Sequence, residues 1–348
     1  MTDCSKDVRA FHDQQVTLPG SDRRRMRDRR DTNRARLRRG LEAAGLREPD
    51  EFVSQGSYAM RTMVQDVDND YDIDDGVYFL ADDLVGPRGA KLTALQARHM
   101  VRDAVDDGRF KTAPEVKPNC VRIHYDAGYH VDIPVYRVTV TKGVFGDERL
   151  YELASSGGWR RSDARDVTSW YDDERSRSAD GLQLRRVNRA LKTFARSRGS
   201  WRGRNLSGFA ITKLVVECFR SDAREDEALR RTMVAIRDRL LFRLEVDHPV
   251  TPGETITDSH DDAKARFFRD KLTEAIERLE PTTDLDCDRE DALDCWDRVF
   301  STTFFTERAE TEARALARGP AIVSSGAILA GTAGAAGAVE SAGGGRHA

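Results

Sequence analysis

The chain has 348 residues, and its 57 Lys and Arg are nearly balanced by 60 Asp and Glu, for a net charge of −3. Hydrophobic residues make up 39% and charged residues 34%, which is typical of a folded, soluble protein and excludes an intrinsically disordered chain. The length allows one large domain or two domains with a sizeable core. Since the charges balance, the chain as a whole is not a polyanion-binding protein.

The five cysteines are scattered along the sequence and form neither a CxxC pair nor a Cys–His ribbon. An odd, scattered set indicates free thiols in a reducing cytoplasm rather than disulfides or a structural zinc site. The N-terminus is polar and carries both charge signs, so we expect no signal peptide. No apolar run reaches the ~18 residues of a membrane span, and we therefore expect a cytoplasmic protein without membrane contact.

Residues 7–46 are predicted to be mostly helical, in two pieces separated by Pro19-Gly20. Ser21 is the best candidate for the N-cap of the second piece. That piece carries an arginine cluster, Arg23–Arg39. Two interpretations of the cluster stay open: a solvated helix face with interleaved acids, or a face turned toward a nucleotide or a nucleic acid.

The next stretch combines a small-residue turn with a pair of acids. A short strand over residues 52–54 leads into Gly56-Ser57, and further on Asp72-Ile73-Asp74 opens an apolar run. Because strand side chains alternate with period two, the two acids point to one side and Ile73 anchors the strand in a core. Two acids held side by side repel each other unless a cation lies between them. The other acids of the stretch are expected to be solvated neighbours: Asp66, Asp68, Asp70 and Asp75.

A second β region follows, with strands over residues 119–125 and 129–138 joined by a turn at Asp126-Ala127-Gly128. Asp132 lies in the middle of the second strand, between two apolar residues. A lone acid there costs stability unless it is paired or coordinates a cation. The acid pair on the earlier strand explains why an acid is placed there, since three acids on two neighbouring strands would converge on shared cations.

From about residue 163 the sequence becomes helical, and Ser207 is well placed to cap one of the helices. The tail from Gly319 consists mainly of Ala, Gly and Ser and is expected to be disordered. The predicted organisation is an α+β fold with a sheet lobe (1–162), a helical lobe (163–318), a flexible tail (319–348) and an active site in the cleft between the lobes. Amphipathic patterns predict helices at residues 92–105, 180–195, 207–219, 228–246, 261–279 and 288–317.

Asp72, Asp74 and Asp132 together predict a site for two Mg²⁺ ions, because carboxylate oxygens suit that ion and a metal pair clamps both oxygens of a phosphoryl displacement. Mn²⁺ would fit the same ligands. Gly56 permits close approach of the backbone to a triphosphate, and Ser57 would donate hydrogen bonds to it. Neither a P-loop spacing nor a GxGxxG run is present, so other nucleotide-binding motifs are not supported.

In this order, the segments QGSY, DIDDGVYF and HVDIPVY resemble nucleotidyltransferases of the DNA polymerase β superfamily. Within it they resemble the DncV-like subgroup of the cGAS/DncV-like nucleotidyltransferases (CD-NTases) of CBASS, a bacterial anti-phage signalling system. The segments LKTFAR and LSGFAITKLVVECF are similar to the helical lobe shared with cGAS and oligoadenylate synthases. The resemblance covers about residues 7–310 and implies a polymerase-β-like sheet lobe followed by a helical lobe of the oligoadenylate synthase type.

The resemblance also implies roles for individual residues. It identifies the three aspartates as the catalytic and metal-binding triad, and Gln55-Gly56-Ser57 as the nucleotide-binding turn. Lys192 resembles the family's phosphate-contacting lysine, Ser207 its partner at the start of the next helix, and Arg122 an arginine that reaches a nucleotide. Each of these three has a plainer interpretation: a solvated helix lysine, a helix cap and a solvated strand residue.

The implied activity is that of a cyclic oligonucleotide synthase, which joins two or three nucleoside triphosphates, releases pyrophosphate and signals to an effector through its product. ATP and GTP are the expected substrates and 3′,3′-cyclic GMP-AMP is the leading product. The alternatives are a linear nucleotidyltransferase acting on RNA ends or on a small molecule such as an antibiotic, and a non-catalytic scaffold. Lacking a zinc ribbon and a strongly basic balance, the chain is not expected to need nucleic acid for activation. In related operons a ubiquitin-ligation-like protein conjugates the cyclase through its C-terminus, and the tail resembles such a handle.

Overall fold

A mixed β-sheet followed by a set of helices confirms the predicted α+β fold. The structure is a computed structural model, and it describes residues 2–66, 71–86, 89–125, 128–143 and 146–317. The predicted tail, Asp68, Asp70 and the Asp126-Ala127 part of the predicted turn lie outside the described residues.

The strands of the sheet all lie before residue 162. They are β1 (Glu51–Gln55), β2 (Tyr71–Leu80), β3 (Glu115–Val116), β4 (Val121–His124), β5 (Tyr129–Ile133), β6 (Val135–Gly143), β7 (Gly146–Ser155) and β8 (Gly158–Arg161). Their order across the sheet is β3-β4-β5-β2-β6-β7-β8, with β1 paired to β2 outside this path.

Strand β2 organises this sheet, because its two halves pair with different strands. The first half runs parallel to β5, the second half runs parallel to β6, and β1 pairs antiparallel with it. Pro134 separates β5 from β6, which divides the predicted strand over 129–138 into two. The predicted hairpin is confirmed by the antiparallel pairing of β4 with β5, whereas β7 and β8 were not predicted.

The helices both precede and follow the sheet. They are α1 (Ser5–Phe11), α2 (Gly20–Ala43), α3 (Gly56–Ala59), α4 (Ala94–Val105), α5 (Ala164–Arg177), α6 (Gly181–Arg196), α7 (Gly208–Cys218), α8 (Glu225–Phe242), α9 (Ala263–Leu279), α10 (Arg289–Phe300) and α11 (Phe304–Ala317). A π-helical turn, His12–Val16, continues α1.

Side chains cap several of these helices. Asp180 accepts hydrogen bonds from the first turn of α6, and Ser207 Oγ accepts one from Ala210 N at 3.1 Å at the start of α7, so the predicted cap at Ser207 is confirmed. The predicted cap at Ser21 is wrong, because α2 begins at Gly20 and Pro19, two residues before Ser21, occupies the cap position without a side-chain bond. The fixed φ of proline supports a helix start at this point.

The core between the sheet and the helices is formed by α2 and α4 on one face of the strands. Leu37 and Leu41 of α2 are fully buried together with Val101 of α4 and Phe79 of β2. Gly40 lets the two helices approach closely, since a Cβ there would lie 1.8 Å from the carbonyl oxygen of Ala104. The Arg-rich helix is therefore held to the sheet by an apolar face, and its arginines occupy the remaining faces.

Residues Met1–Glu307 form one compact unit and Arg308–Ala348 a second, of which the described part is the end of α11. The sheet ends at Arg161 and the run of helices begins at Ala164, both within the first unit. Among the described residues, no helix combines the length and the apolar character that crossing a bilayer requires.

Candidate active site

Two neighbouring parallel strands bring the three predicted acids together. In the register of β2 and β5, Asp74 lies opposite Asp132 and Asp72 lies opposite His130. Asp72 is exposed, Asp74 is half-buried and Asp132 is buried, while Ile73 between the first two is buried in the core. The period-two alternation therefore places Asp72 and Asp74 on the side of the strand away from that core.

Burial and the neighbouring acids both disfavour the charged form of Asp74. Burial raises the pKa of the Asp74 carboxyl to about 7, and the charges of Asp132 and Asp72 act in the same direction. Two carboxylates on adjacent strands cannot both ionise freely without a counter-charge. At neutral pH, Asp74 therefore exchanges a proton unless a cation holds it in the charged form.

Arg122 on β4 supplies part of that counter-charge. Its Nε and Nη2 donate to the two carboxylate oxygens of Asp132 at 2.8 and 2.7 Å, and Nη2 lies 3.6 Å from Asp72 Oδ1. These hydrogen bonds raise the pKa of Arg122 above its usual value. Arg122 is thus neither a plainly solvated strand residue nor a free arginine, because it bridges two of the three acids.

The donor set suits a hard divalent cation. The three carboxylates offer only oxygen, and Asp74 carries a charge that its surroundings disfavour. Within the ranges that the structure describes, however, no three His, Cys, Asp or Glu side chains are grouped closely enough to hold a metal ion. The carboxylate oxygens are the ligand type that Mg²⁺ or Mn²⁺ prefers. In this structure the guanidinium of Arg122 binds both oxygens of Asp132 and lies near Asp72.

The predicted turn adjoins these acids. Gly56 opens α3 with a positive φ of 62°, and a Cβ there would lie 2.1 Å from Asp74 Oδ2. No other residue fits without moving the carboxylate, because both the backbone conformation and the space require glycine. Ser57 follows in the same helical turn, where first-turn N–H groups have no partner within the helix.

Gln55, at the end of β1, is buried and held by two tyrosines. Its Nε2 donates to Tyr78 Oη at 2.8 Å, and Tyr136 Oη donates to its Oε1 at 3.1 Å. The two tyrosine rings stack with centroids 4.4 Å apart, and Tyr78 Oη in turn donates to Asp163 at 3.2 Å. With both ends of its amide engaged, Gln55 fixes the position of the turn that follows it.

Lys192 reaches the site from the helical half of the chain. It is only 6% exposed, and its Nζ donates to Thr62 Oγ1 at 2.9 Å and to the Thr62 carbonyl at 3.3 Å. Burial lowers the pKa of Lys192 to about 7, and the neighbouring charges of Arg196 and Arg189 act in the same direction. The interpretation as a solvated helix lysine is therefore wrong.

The turn, two of the acids and Lys192 line one cavity of about 380 Å³, which falls in the range of small-molecule sites. Thr62, Arg196 and Phe209 also line it and were not predicted. Arg196 and Phe209 lie in the two segments that resemble the helical lobe, but no pattern marked either one as a site residue, and a threonine after a turn is common in any sequence. Ser207 lines a neighbouring cavity that shares Lys192, Arg196 and Gly208 with the first.

Two of the acids expected to be solvated are in fact paired. Asp75 is 3% exposed and accepts two hydrogen bonds from Arg34 of α2, at 2.7 and 2.5 Å. Asp66 is largely buried and lies 3.7 Å from Arg196 and 3.8 Å from Arg202. The prediction was wrong because it ignored the helices that cover these positions.

The segment that carries the three acids is similar to a known nucleotidyltransferase domain. Residues 50–136 match the family model described as "Cyclic GMP-AMP synthase DncV-like, nucleotidyltransferase domain". Residues 50–136 are therefore similar to the nucleotidyltransferase domain of DncV-like proteins.

Comparison with curated proteins agrees with this assignment. A cyclic GMP-AMP synthase of Escherichia albertii is 26% identical over 213 residues, which is 59% of this chain and 45% of that protein. The match thus spans less than half the length of the curated relative.

Solved structures share the fold. DncV of Escherichia coli, in a 3′-deoxy GTP bound form, aligns with a TM-score of 0.65 at 17% identity, covering 84% of this chain and 93% of that one. DncV of Vibrio cholerae, a cyclic AMP-GMP synthase in complex with nonhydrolyzable GTP, aligns with a TM-score of 0.67 at 17% identity, covering 86% of this chain and 95% of that one. CdnC of E. coli MS115-1, in a complex with HORMA-deltaN, aligns with a TM-score of 0.66 at 16% identity, covering 87% of this chain and 98% of that one.

Proposed function

We propose that the protein is a cyclic oligonucleotide synthase that joins nucleoside triphosphates and releases pyrophosphate. One observation carries the proposal. Asp72 and Asp74 line one cavity with the glycine turn and Lys192, and Asp132 lies opposite Asp74 on the neighbouring parallel strand. A nucleotidyl transfer requires acids that bind metal, a glycine turn that leaves room for phosphate, and a cationic side chain, and all three surround this cavity.

The three aspartates would bind divalent metal through their carboxylate oxygens, and this ligand type suits Mg²⁺ or Mn²⁺. Bound there, the metal pair would neutralise charge on the phosphates and lower the pKa of the attacking ribose hydroxyl. Asp132 lies on the strand next to the Asp72–Asp74 pair, and we assign it to the side of the acceptor hydroxyl. Asp74, whose pKa is raised to about 7, would become fully ionised only with such a cation present.

The other end of the substrate would lie on the turn and on Lys192. Gly56 leaves room for phosphate oxygens where a side chain would collide with Asp74, and the first-turn N–H groups of α3 can donate to them. Lys192 has two of its three donor positions on Thr62, which orients the remaining one. Protonated in contact with a triphosphate, it would bind the β- or γ-phosphate as a point charge.

Arg122 has a separate role in this proposal. It stabilises the acids while no metal is bound, and releasing Asp132 would turn its guanidinium toward substrate phosphate. A guanidinium suits either partner, because its fork matches carboxylate and phosphate alike. Ser207, the cap of α7, we assign to the same phosphate end through its place beside Lys192.

For the product, we propose a cyclic di- or trinucleotide, with 3′,3′-cyclic GMP-AMP from ATP and GTP as the leading candidate. The matches to cyclic GMP-AMP synthase and DncV support this choice. We further propose a cytoplasmic role in CBASS antiviral signalling, with the product acting on an effector. The tail from residue 319 onward would be the handle for a ubiquitin-ligation-like conjugation protein.

The test is incubation of the purified protein with four labelled nucleoside triphosphates and Mg²⁺, then phosphatase treatment and mass analysis of the product. A phosphatase-resistant product of cyclic mass is expected. Asp72→Ala with Asp74→Ala should abolish it while circular dichroism shows an intact fold. Unchanged product from the double variant would overturn the metal site.

The alternatives give different results in the same assay. A linear transferase, acting on RNA ends or a small molecule, would leave products that phosphatase degrades or that appear only with an added acceptor. A non-catalytic scaffold would bind nucleotide without any turnover.

A further inference from the structure

A second cavity, of about 620 Å³, lies next to the active site and is strongly basic. Five arginines line it: Arg23, Arg24, Arg27, Arg61 and Arg189. We call this group the arginine pocket. Neither Asp nor Glu is among its described lining residues, so it concentrates positive charge on a chain whose net charge is −3.

The arginines of α2 differ in whether they have an acidic partner. Outside the pocket, Arg34 pairs with Asp75 and Arg36 with Asp107, with N–O distances of 2.5 and 3.0 Å. In the described ranges, none of the five pocket arginines forms an ion pair with a carboxylate. Three arginines of α2, Arg23, Arg24 and Arg27, thus line the pocket without an acidic partner in the described ranges, whereas other arginines of the same helix are paired.

Leaving five guanidinium groups together without an anion is unfavourable, because like charges repel across a shared cavity. Arg189 is half-buried, and burial together with the charges of Arg185 and Arg23 lowers its pKa to about 10. Phosphate groups match the guanidinium fork and form paired, charge-assisted hydrogen bonds with it. A concave cavity of this volume suits a compact ligand.

We propose that the arginine pocket binds a small molecule with several phosphate groups, at a site separate from the nucleotide cavity. Binding there is independent of the proposed function.

The pocket is coupled to the active site through two consecutive residues. Arg189 Nε donates to the backbone carbonyl of Arg61 at 3.0 Å, and the next residue, Thr62, accepts both hydrogen bonds of Lys192. Arg61 itself has a positive φ of 55°, an uncommon conformation for a residue with a side chain. A ligand that engages Arg61 and Arg189 would therefore order the segment that positions Lys192, and the effect on nucleotide binding rests on the proposed function.

The experiment measures binding of inorganic tripolyphosphate by calorimetry, in EDTA, to the full-length protein. Arg24→Glu with Arg27→Glu should weaken binding at least about tenfold, since two charge-assisted contacts are lost. The matched control, Arg39→Glu with Arg47→Glu, makes the same charge change at two exposed arginines outside the pocket and should shift binding by less than about twofold. Equal weakening by both pairs would reduce the effect to net charge and overturn the proposal.

Lys192→Met distinguishes the two cavities. Tripolyphosphate binding that survives this substitution lies in the arginine pocket, whereas binding that Lys192→Met abolishes lies in the nucleotide cavity and overturns the proposal. Binding of a DNA duplex but not of tripolyphosphate would show a nucleic-acid surface instead. Hydrogen exchange of peptides covering residues 58–66 should slow with tripolyphosphate in the wild type and in Lys192→Met, but not in Arg24→Glu/Arg27→Glu. This readout needs no turnover, so it stands even if the proposed activity fails.

Discussion

The acids of the sheet and the arginine pocket are two groups of like charge that share one short segment, Gly56–Met63, but they are built differently. The acid group contains a fixed cation, Arg122, bound to Asp132 through two hydrogen bonds. The arginine pocket contains no anion among its described lining residues. An internal counter-charge lets the acids stay together without metal, whereas the arginines depend on solvent and salt until an anion binds.

The largest effect that bears on this comparison is expected from Asp74→Asn. Turnover should fall by about a thousandfold or more, since a metal ligand is lost from the group. Steady-state product formation at saturating Mg²⁺ measures this, with Asp82→Asn, at an exposed acid after the end of β2, as the control. Near-normal turnover would remove Asp74 from the metal site.

The same variant gives a pH-dependent stability. The folded-state pKa of Asp74 is raised to about 7, above that of an unfolded aspartate. The protonated carboxyl therefore adds to the stability of the wild type at low pH, and this stabilisation is lost as the pH rises toward and through 7. Without metal, Asp74→Asn should gain thermal stability relative to the wild type between pH 5 and 8, as the ionised carboxylate becomes costly, by about one to a few kcal/mol. A stability difference independent of pH would show that the acids do not repel as described.

Gly56→Ala comes next, because it pushes a methyl group into the acid group. A Cβ would lie 2.1 Å from Asp74 Oδ2, so we expect about a hundredfold loss of activity and about 1–3 kcal/mol lower stability. Gly45→Ala is the matched control, since its φ of 69° is similarly positive and nothing lies within 4 Å of its Cβ position. The control should lose about 1 kcal/mol of stability and no activity. Equal activity losses in both variants would make the effect one of backbone strain alone.

Lys192→Met tests the cation between the two groups. We expect the KM for nucleoside triphosphate to rise by about tenfold or more with the protein as stable as before, because a buried amine is replaced by an apolar side chain of similar length. Since its pKa is lowered to about 7, Lys192 is largely neutral at pH 8 and should take up a proton when a triphosphate binds.

Calorimetry in two buffers of different ionisation enthalpy measures that proton uptake. It should vanish in Lys192→Met and persist in Lys213→Met, whose lysine pairs with Glu217 at 3.1 Å instead. Uptake that persists in Lys192→Met would assign the proton to another group.

The smallest effect is expected from Thr62→Val, which removes one acceptor of Lys192 and keeps the side-chain shape. Losing this hydrogen bond should raise KM by about fivefold, corresponding to about 1 kcal/mol. Thr62→Ser keeps the hydroxyl and should behave like the wild type. A larger loss in the serine variant than in the valine variant would show that packing at residue 62, rather than the bond to Lys192, matters.

Much of this site followed from local rules. Alternation along a strand predicted that Asp72 and Asp74 share a side, and both line the same cavity. An isolated acid between apolar residues predicted that Asp132 is paired or binds a cation, and in the structure it is paired with Arg122. What the sequence did not reveal depends on contacts between distant segments. Asp75 looked solvated beside its neighbours, yet Arg34, 41 residues away, pairs with it.

The same limit explains the other differences. Arg122 could not be assigned to Asp132 from alternation alone, because the choice of partner depends on the antiparallel register of β4 and β5. Thr62 became a candidate only when the helical half placed Lys192 against it. Patterns along one element are readable, and pairings between elements require the fold.

The hydrogen bonds around Gln55 all run in one direction. Tyr136 donates to Gln55, Gln55 donates to Tyr78, and Tyr78 donates to Asp163, so the polarity of each group is set by the one before it. Asp163 caps α5, the first helix after the sheet. This series of hydrogen bonds therefore connects the centre of the sheet to the start of the first helix beyond it. Gln55→Glu would replace the donating amide nitrogen with an acceptor oxygen and so break this series of hydrogen bonds at a residue that lines the cavity.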